Sequence, residues 1–142
     1  MLLDDREVSF CPTKVLRGGG LVIYPVTLEI IATESLGVRG MCCLVIIGKR
    51  RILIDPGLAL GYRRHGLLPH PFQVANGITV RRRIVKALQS ATDIVLSHFH
   101  GDHVPLLLAN QYQLSFENIP ERIRKVRIWS NPVQPETIQF TG

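Results

Sequence analysis

Four residues able to bind a metal ion stand within six positions of the sequence, at His98, His100, Asp102 and His103. The 142-residue chain holds only five histidines, and three of them fall in this segment. Imidazole nitrogens and carboxylate oxygens are ligands of zinc-type ions in hydrolytic sites. The first two histidines alternate as the chain leaves an apolar segment, which directs both imidazoles to the same side. The spacing therefore predicts a metal site.

Gly101 lets the chain turn before Asp102 and His103, so that this second pair can face a second ion. Two divalent ions, most simply zinc, would lower the pKa of water and supply a nucleophile at neutral pH. The same residues also have interpretations that involve no metal ion. Asp102 could serve only as the N-cap of a helix. A single surface histidine, likewise, carries no function in most proteins. We interpret the cluster as the centre of a metal-dependent hydrolase.

The segments around the cluster predict the elements that position it. Strands are expected where β-branched and apolar residues alternate or run together, at residues 26–33, 41–47, 50–54, 91–97 and 126–129. Gly48 and Lys49 would join the second and third of these strands as a hairpin. An amphipathic helix is expected over residues 78–88, after a long loop at 58–72. A short helix is expected over residues 104–109, with Asp102 near its N-cap and Pro105 in its first turn.

This order of elements predicts an α/β fold, with one mixed β-sheet layer and helices on one face. Residues 1–25 read as a poorly defined N-terminal extension, with Gly18-Gly19-Gly20 as a flexible joint. Residues 26–142 would then form the sheet layer.

Composition limits the class of protein. Hydrophobic residues make up 46% and charged residues 20%, which is typical of a globular chain. The longest clean apolar stretch, residues 41–47, is far shorter than the roughly 20 residues of a membrane-spanning helix. The acidic and mixed-charge start lacks the order of a signal peptide. The three cysteines form no CxxC pair, so we expect reduced thiols, a cytoplasmic protein and no membrane partner.

The chain is basic, with a net charge of +6 and a pI of about 9.7. Its cations cluster in the runs Lys49-Arg50-Arg51, Arg63-Arg64 and Arg81-Arg82-Arg83. Such clusters favour an anionic partner, either a phosphoester substrate or a nucleic acid. They are equally compatible with a solvated surface that binds no partner. No aromatic residue interleaves with the triplets, so base stacking has no support.

His98-x-His100-x-Asp102-His103 after an apolar strand resembles the metal motif of the metallo-β-lactamase superfamily. In that family the two first histidines hold one metal ion, and the aspartate and last histidine hold the other. The run from Ile52 to Gly57 resembles the family's earlier strand, whose terminal aspartate lies beneath the metal site and orients it. The resemblance implies catalytic roles for Asp102 and Asp55, although an aspartate before Pro-Gly is also a common way to begin a turn.

A narrower resemblance, over residues 31–110, is to a largely archaeal group of predicted metallo-β-lactamase-fold hydrolases of unsettled substrate. In that context Arg39, His65 and His70 become candidates for binding a small-molecule or phosphoester substrate. The residue types by themselves favour ordinary loop positions over a role in substrate binding.

The ligand set is incomplete by the family's standard. The superfamily adds a further histidine, a bridging aspartate and a last histidine after the first motif, and it folds as an αββα sandwich of two halves. After His103 this chain has no histidine or aspartate, and its remaining carboxylates are Glu117, Glu121 and Glu136. We therefore expect the N-terminal half of such a domain, which needs a C-terminal half, binds two metal ions only weakly alone, and exposes an apolar sheet face.

Two other functions stay open. One is a metal-binding or nucleic-acid-binding module that keeps the scaffold without turnover. The other is an inactive truncated fragment.

Overall fold

A six-stranded sheet organises the chain, with the strands following one another across the sheet in sequence order. The computed structural model describes residues 7–17, 20–61, 63 and 65–131, and its side chains are described from residue 25 onward. The strands are β1 (Glu7–Arg17), β2 (Gly20–Ala32), β3 (Cys42–Ile47), β4 (Arg50–Ile54), β5 (Asp93–Leu96) and β6 (Arg127–Ser130). The five strands predicted from the sequence are thus confirmed as β2 to β6, with ends that differ from the predicted ones.

The first four strands form an antiparallel meander. Gly48 turns the chain between β3 and β4 with a φ of 56°, a left-handed conformation that favours glycine. The meander also includes residues that the sequence placed in a poorly defined extension. Residues 7–17 form strand β1, and β2 already begins at Gly20, where the sequence predicted no strand. A register shift between Phe10 and Thr13 breaks the alternation that would have indicated a strand. Gly18 and Gly19 of the predicted joint lie outside the described residues.

The sheet becomes parallel at β4, because β4, β5 and β6 all run in one direction. A crossover through a long loop and helix α1 (Pro71–Ser90) joins β4 to β5. The helix begins seven residues before the predicted start at 78. The His70 side chain accepts a hydrogen bond from the N–H of Phe72, and the His70 N–H donates one to the Gln73 side-chain oxygen. Pro71 occupies the first turn. Among the described helices, none combines the length and apolar character needed to cross a bilayer.

The short helix predicted at residues 104–109 is wrong. Leu106 instead pairs with Ser115 in a single parallel bridge. Its N–H donates to the carbonyl of Leu114 at 3.0 Å, and its carbonyl accepts from the N–H of Phe116 at 2.8 Å. Hydrogen bonds to the segment at residues 114–116 therefore occupy the backbone groups of Leu106 that a helix would have used. Asp102 is consequently not a helix cap. Short 3-10 turns follow at Phe116–Asn118 and Glu121–Lys125.

The core lies between α1 and one face of the sheet. Its buried side chains come from the strands, the loops and the inner face of α1, and the largest include Ile31, Leu44, Leu53, Ile84 and Leu88. Alternation along β3 buries Cys42 and Leu44 in this core, while Cys43 and Val45 point to the other face and stay partly exposed. The α/β prediction of a mixed sheet with helical structure on one face is confirmed.

Cys42 and Cys43 are free thiols, as the cysteine pattern predicted. Burial raises the pKa of Cys42 well above its ordinary value and also raises that of Cys43. A raised pKa disfavours the thiolate, so neither side chain is set up as a nucleophile or metal ligand.

A buried carboxylate joins the three parallel strands at the amino end of β5. Asp93 is 0% exposed and accepts bonds from Arg50 Nη2 at 2.6 Å and Trp129 Nε1 at 3.2 Å. Arg127 Nε lies 3.1 Å from the same carboxylate, and Thr92 Oγ1 donates at 2.7 Å. The hydrogen bond from Arg50 holds the pKa of Asp93 far below its usual range, against the opposing effect of burial.

Replacing Asp93 with asparagine should lower the free energy of unfolding at pH 7 by about 1–3 kcal/mol, because hydrogen bonds to a charged group are lost. A carboxyl whose pKa is depressed by folding contributes stability above its ordinary pKa and loses it as the pH falls. The gap between wild type and Asp93→Asn should therefore narrow below about pH 5. Urea unfolding across this range measures it, with the exposed-site variant Glu117→Gln as control. A gap that stays constant on acidification would contradict the assignment.

Candidate metal centre

Asp55 lies at the carboxyl end of β4, directly beside the end of β5. Its N–H donates to the carbonyl of Val95 at 2.9 Å, which continues the parallel pairing one residue beyond the strand. Its φ is 47°, in the left-handed region that aspartate tolerates better than most residues. This turn directs the carboxylate under the loop that follows β5, where the residue is only 5% exposed.

Ser97 and His103 saturate the Asp55 carboxylate with hydrogen bonds. The N–H of Ser97 donates to Oδ1 at 2.7 Å, and its hydroxyl donates to Oδ2 at 2.6 Å. His103 Nδ1 lies 3.1 Å from Oδ2. Burial alone would raise the pKa of Asp55, but the bonds from Ser97 and His103 outweigh it and lower the pKa. The carboxylate is thus an acceptor that fixes the loop holding the histidines.

The three histidines predicted as ligands do converge. The ring centroids of His98 and His103 are 3.8 Å apart, and those of His98 and His100 are 4.8 Å apart with the rings perpendicular. Asp102 Oδ2 lies 3.8 Å from Nε2 of His103. His98 and His100 are exposed, while Asp102 and His103 are partly buried. The fold therefore gathers all four predicted residues at one edge of the sheet.

Two glycines from distant segments make room for the turn that carries Asp102 and His103. A Cβ atom at Gly57 would lie 2.6 Å from Cα of His103 and closer still to its carbonyl carbon. At Gly40 a Cβ would collide with the carbonyl oxygen of Asp102, and the φ of 93° there also favours glycine. The backbone of the turn therefore packs directly onto the backbone of two other loops.

The chemistry of these donors fits a zinc-type ion. Nδ1 of His103 is bound to a carboxylate, which leaves Nε2 as the outward nitrogen, and metal-binding histidines are held in this way. The geometry is not that of a closed site, because no three His, Cys, Asp or Glu side chains among the described residues form a group able to enclose an ion. The residues are thus of a type that binds zinc, but the described part of the chain does not arrange three of them around one point.

The predicted substrate-binding residues are more dispersed. Arg39 is exposed and immediately precedes Gly40. Because the backbone of Gly40 packs against that of Asp102, the backbone of Arg39 lies near the Asp102 turn. The His70 ring caps α1 by accepting from Phe72 N–H at 3.2 Å, which gives it a structural role. His65 lies in the exposed loop with a φ of 53°. In the described part of the chain, no hydrogen bond or ring contact joins His65 or His70 to the histidine cluster.

Several arginines of the predicted basic clusters are engaged in the fold, and Arg64 lies outside the described residues. Arg50 pairs with Asp93, and both lie at the end of the parallel strands opposite Asp55. Arg83 binds Glu29 at 3.1 Å, and Arg81 donates to the carbonyl of Gln111 at 2.9 Å. These arginines stabilise the fold, so the net charge of the chain does not by itself define a binding surface.

Sequence reasoning missed the residues that support the ligands. Ser97 was taken only as the end of a strand, although a hydroxyl directly before His98 was visible in the sequence. Gly40 gave no comparable signal, because its contact with the Asp102 backbone arises from tertiary packing.

Comparison with known proteins agrees with this site. The family model described as the Metallo-beta-lactamase superfamily matches residues 37–107, a span that contains Asp55 and the whole histidine cluster. The chain therefore belongs to the metallo-beta-lactamase superfamily, which confirms the resemblance predicted from the two motifs.

Curated relatives narrow the match to UPF0282 proteins of archaea. The chain is 48% identical to one from Methanosarcina mazei over 102 residues, which cover 72% of this chain and 33% of that protein. It is 38% identical to one from Pyrococcus furiosus over 106 residues, covering 73% of this chain and 34% of that protein. The chain thus spans about a third of the length of these relatives. No solved structure matches it significantly.

Substituting Gly57 with alanine should destabilise the fold by about 1–3 kcal/mol, because the added methyl group overpacks against the His103 backbone. Gly61→Ala is the matched control, since a Cβ there meets nothing within 4 Å. Urea unfolding of both variants tests the packing. Equal stability of the two variants would show that the turn does not need the glycine.

Proposed function

We propose that this chain carries the first metal-binding half of a metal-dependent hydrolase. The observation that carries the proposal is the buried Asp55 carboxylate, which holds His103 by Nδ1 and leaves Nε2 directed outward near Asp102. Metal-binding histidines are usually held in this way, because a hydrogen bond from the other ring nitrogen fixes the orientation of the ring. Membership of the superfamily supports the hydrolytic chemistry.

Each residue of the cluster has a distinct proposed role. His98 and His100 would hold one ion, and Asp102 and His103 a second, with zinc the simplest choice for this donor set. Asp55 orients His103 and does not itself bind the ion. When bound, divalent ions supply a nucleophile at neutral pH by lowering the pKa of water. The chain's own contribution is to hold the four ligands at one edge of a rigid sheet.

The remaining ligands, we propose, come from polypeptide that packs against this edge, as the C-terminal half of the domain. Three observations support this. No histidine or aspartate follows His103, the curated relatives are about three times longer than the matched region, and His98 and His100 are exposed on the open side. Leu107 and Leu108, just past the cluster, are 80% and 96% exposed, which an isolated fold avoids.

For the substrate, we propose an ester with an anionic group, and a phosphoester or nucleic acid as the first to assay. Arg39 supports this class, because it directly precedes Gly40, whose backbone packs against that of Asp102. The triplet Lys49-Arg50-Arg51 gives no such support, since β4 separates it from Asp55 by its whole length.

The free thiols of Cys42 and Cys43 support a reducing compartment, and we propose the cytoplasm.

Zinc binding by the purified chain tests the metal site. We expect zinc to raise the melting temperature by mass action, with fewer than two tightly held ions per chain by native mass spectrometry. His100→Ala should abolish this rise, because it removes an exposed ligand without disturbing the core. His65→Ala is the matched control and should keep it. The proposal fails if wild type gains no stability in zinc, or if both variants respond alike.

Turnover separates the hydrolase from the alternatives. The assay uses the chain supplemented with zinc and with the C-terminal region of a relative. In that mixture a hydrolase should cleave a generic phosphodiester or thioester, and His100→Ala should abolish the reaction. Zinc binding without turnover, in the chain supplemented with the C-terminal region of a relative, would instead select a non-catalytic binding module. Loss of both properties would identify an inactive fragment.

A further inference from the structure

The Ser97 hydroxyl lies between a buried carboxylate and a histidine ring. Its Oγ is 2.6 Å from Asp55 Oδ2 and 2.8 Å from His98 Nδ1. A hydroxyl has one proton to donate, and a carboxylate can only accept. The proton of Ser97 therefore goes to Asp55, and Oγ must accept a hydrogen bond from His98. In its neutral form His98 consequently carries its proton on Nδ1.

His103 reaches the same tautomer without an intermediary. Its Nδ1 lies 3.1 Å from Asp55 Oδ2, so this nitrogen is the donor of the pair. The lone pair of His103 is then on Nε2, the nitrogen nearest Asp102. One carboxylate oxygen thus receives hydrogen bonds from both Ser97 and His103.

We infer that Ser97 is a positioning residue that passes the orienting effect of Asp55 on to His98, so that one buried carboxylate selects the tautomer of two histidines. Both rings then carry their lone pair on Nε2. The tautomer selection is a property of the metal-free chain, and only its consequence for metal affinity rests on the proposed function.

The backbone fixes Ser97 tightly enough for this role. Its N–H donates to Asp55 Oδ1 at 2.7 Å, while its hydroxyl binds Oδ2, so the two oxygens hold one residue in two directions. His98 follows immediately in the chain, which leaves its ring few positions from which Nδ1 can reach Oγ. The hydroxyl, not the backbone, is the part that can be removed without losing the Asp55–Ser97 contact.

Long-range proton–nitrogen correlation of the metal-free, ¹⁵N-histidine-labelled chain tests the inference at a pH where the rings are neutral. In wild type, His98 and His103 should both show a protonated Nδ1 and an unprotonated Nε2. In Ser97→Ala, His98 should lose this single tautomer and give averaged shifts. His103 should keep its pattern, because its bond to Asp55 is direct.

Two variants make the outcome specific. Ser97→Thr keeps the hydroxyl and should restore the His98 pattern. Ser90→Ala removes a hydroxyl that binds Arg51 at 3.0 Å, at the opposite end of the parallel strands, and should change neither histidine. An unchanged His98 in Ser97→Ala, or an Nε2-protonated His98 in wild type, would overturn the inference. Retention of the His103 pattern shows that the variant is folded.

Zinc affinity then reports the consequence. Ser97→Ala should weaken binding about 10- to 100-fold, the usual effect of removing a group that orients a metal ligand, and Ser97→Thr should recover most of it. If zinc fails to bind wild type while the tautomers behave as described, the proposed function is wrong and the role of Ser97 stands. If zinc binds and Ser97→Ala leaves both tautomer and affinity unchanged, the role of Ser97 is wrong.

Discussion

The hydrogen bonds to the Asp55 carboxylate are the constraint on which this site depends. They connect the end of β4 to the loop after β5, and each has its donor in a segment remote from Asp55. A buried carboxylate without such partners would be strongly unfavourable. The requirement to satisfy it therefore determines where Ser97 and His103 must lie. The positions of the exposed histidines follow from that, because they have little packing of their own.

Two carboxylates mark the two ends of the parallel strands, and they are satisfied in different ways. Asp93, at the amino end of β5, is surrounded by the guanidinium groups of Arg50 and Arg127. Asp55, at the carboxyl end of β4, is bound by a hydroxyl, an amide and an imidazole. Ion pairing at one end serves the sheet alone. The donors at the other end belong to the segment that carries the histidine cluster, so the bonds to Asp55 position that cluster.

The sequence predicted the parts of this structure that depend on local pattern. Alternation and turn residues were sufficient for β3 and β4, and ligand spacing was sufficient for the convergence of His98, His100 and His103. It failed where tertiary contacts override local preference. Pro105 after a possible cap suggested a helix, but Leu106 pairs with Ser115 instead. Strand β1 was missed because a bulge interrupts its alternation, and Gly40 because its role depends on a backbone far away in the chain.

The parallel pairing of β4 with β5 also determines when this site can exist during folding. Asp55 and Ser97 are 42 residues apart in the chain, and the whole crossover with α1 must close before they meet. A contact between residues so far apart in sequence forms late, because closing the intervening loop first costs conformational entropy. The antiparallel meander, built from neighbouring strands, can assemble without them. The edge that carries the histidine cluster is therefore expected to be among the last regions to become ordered, and a nascent chain could not assemble the cluster on Asp55 until synthesis has passed β5.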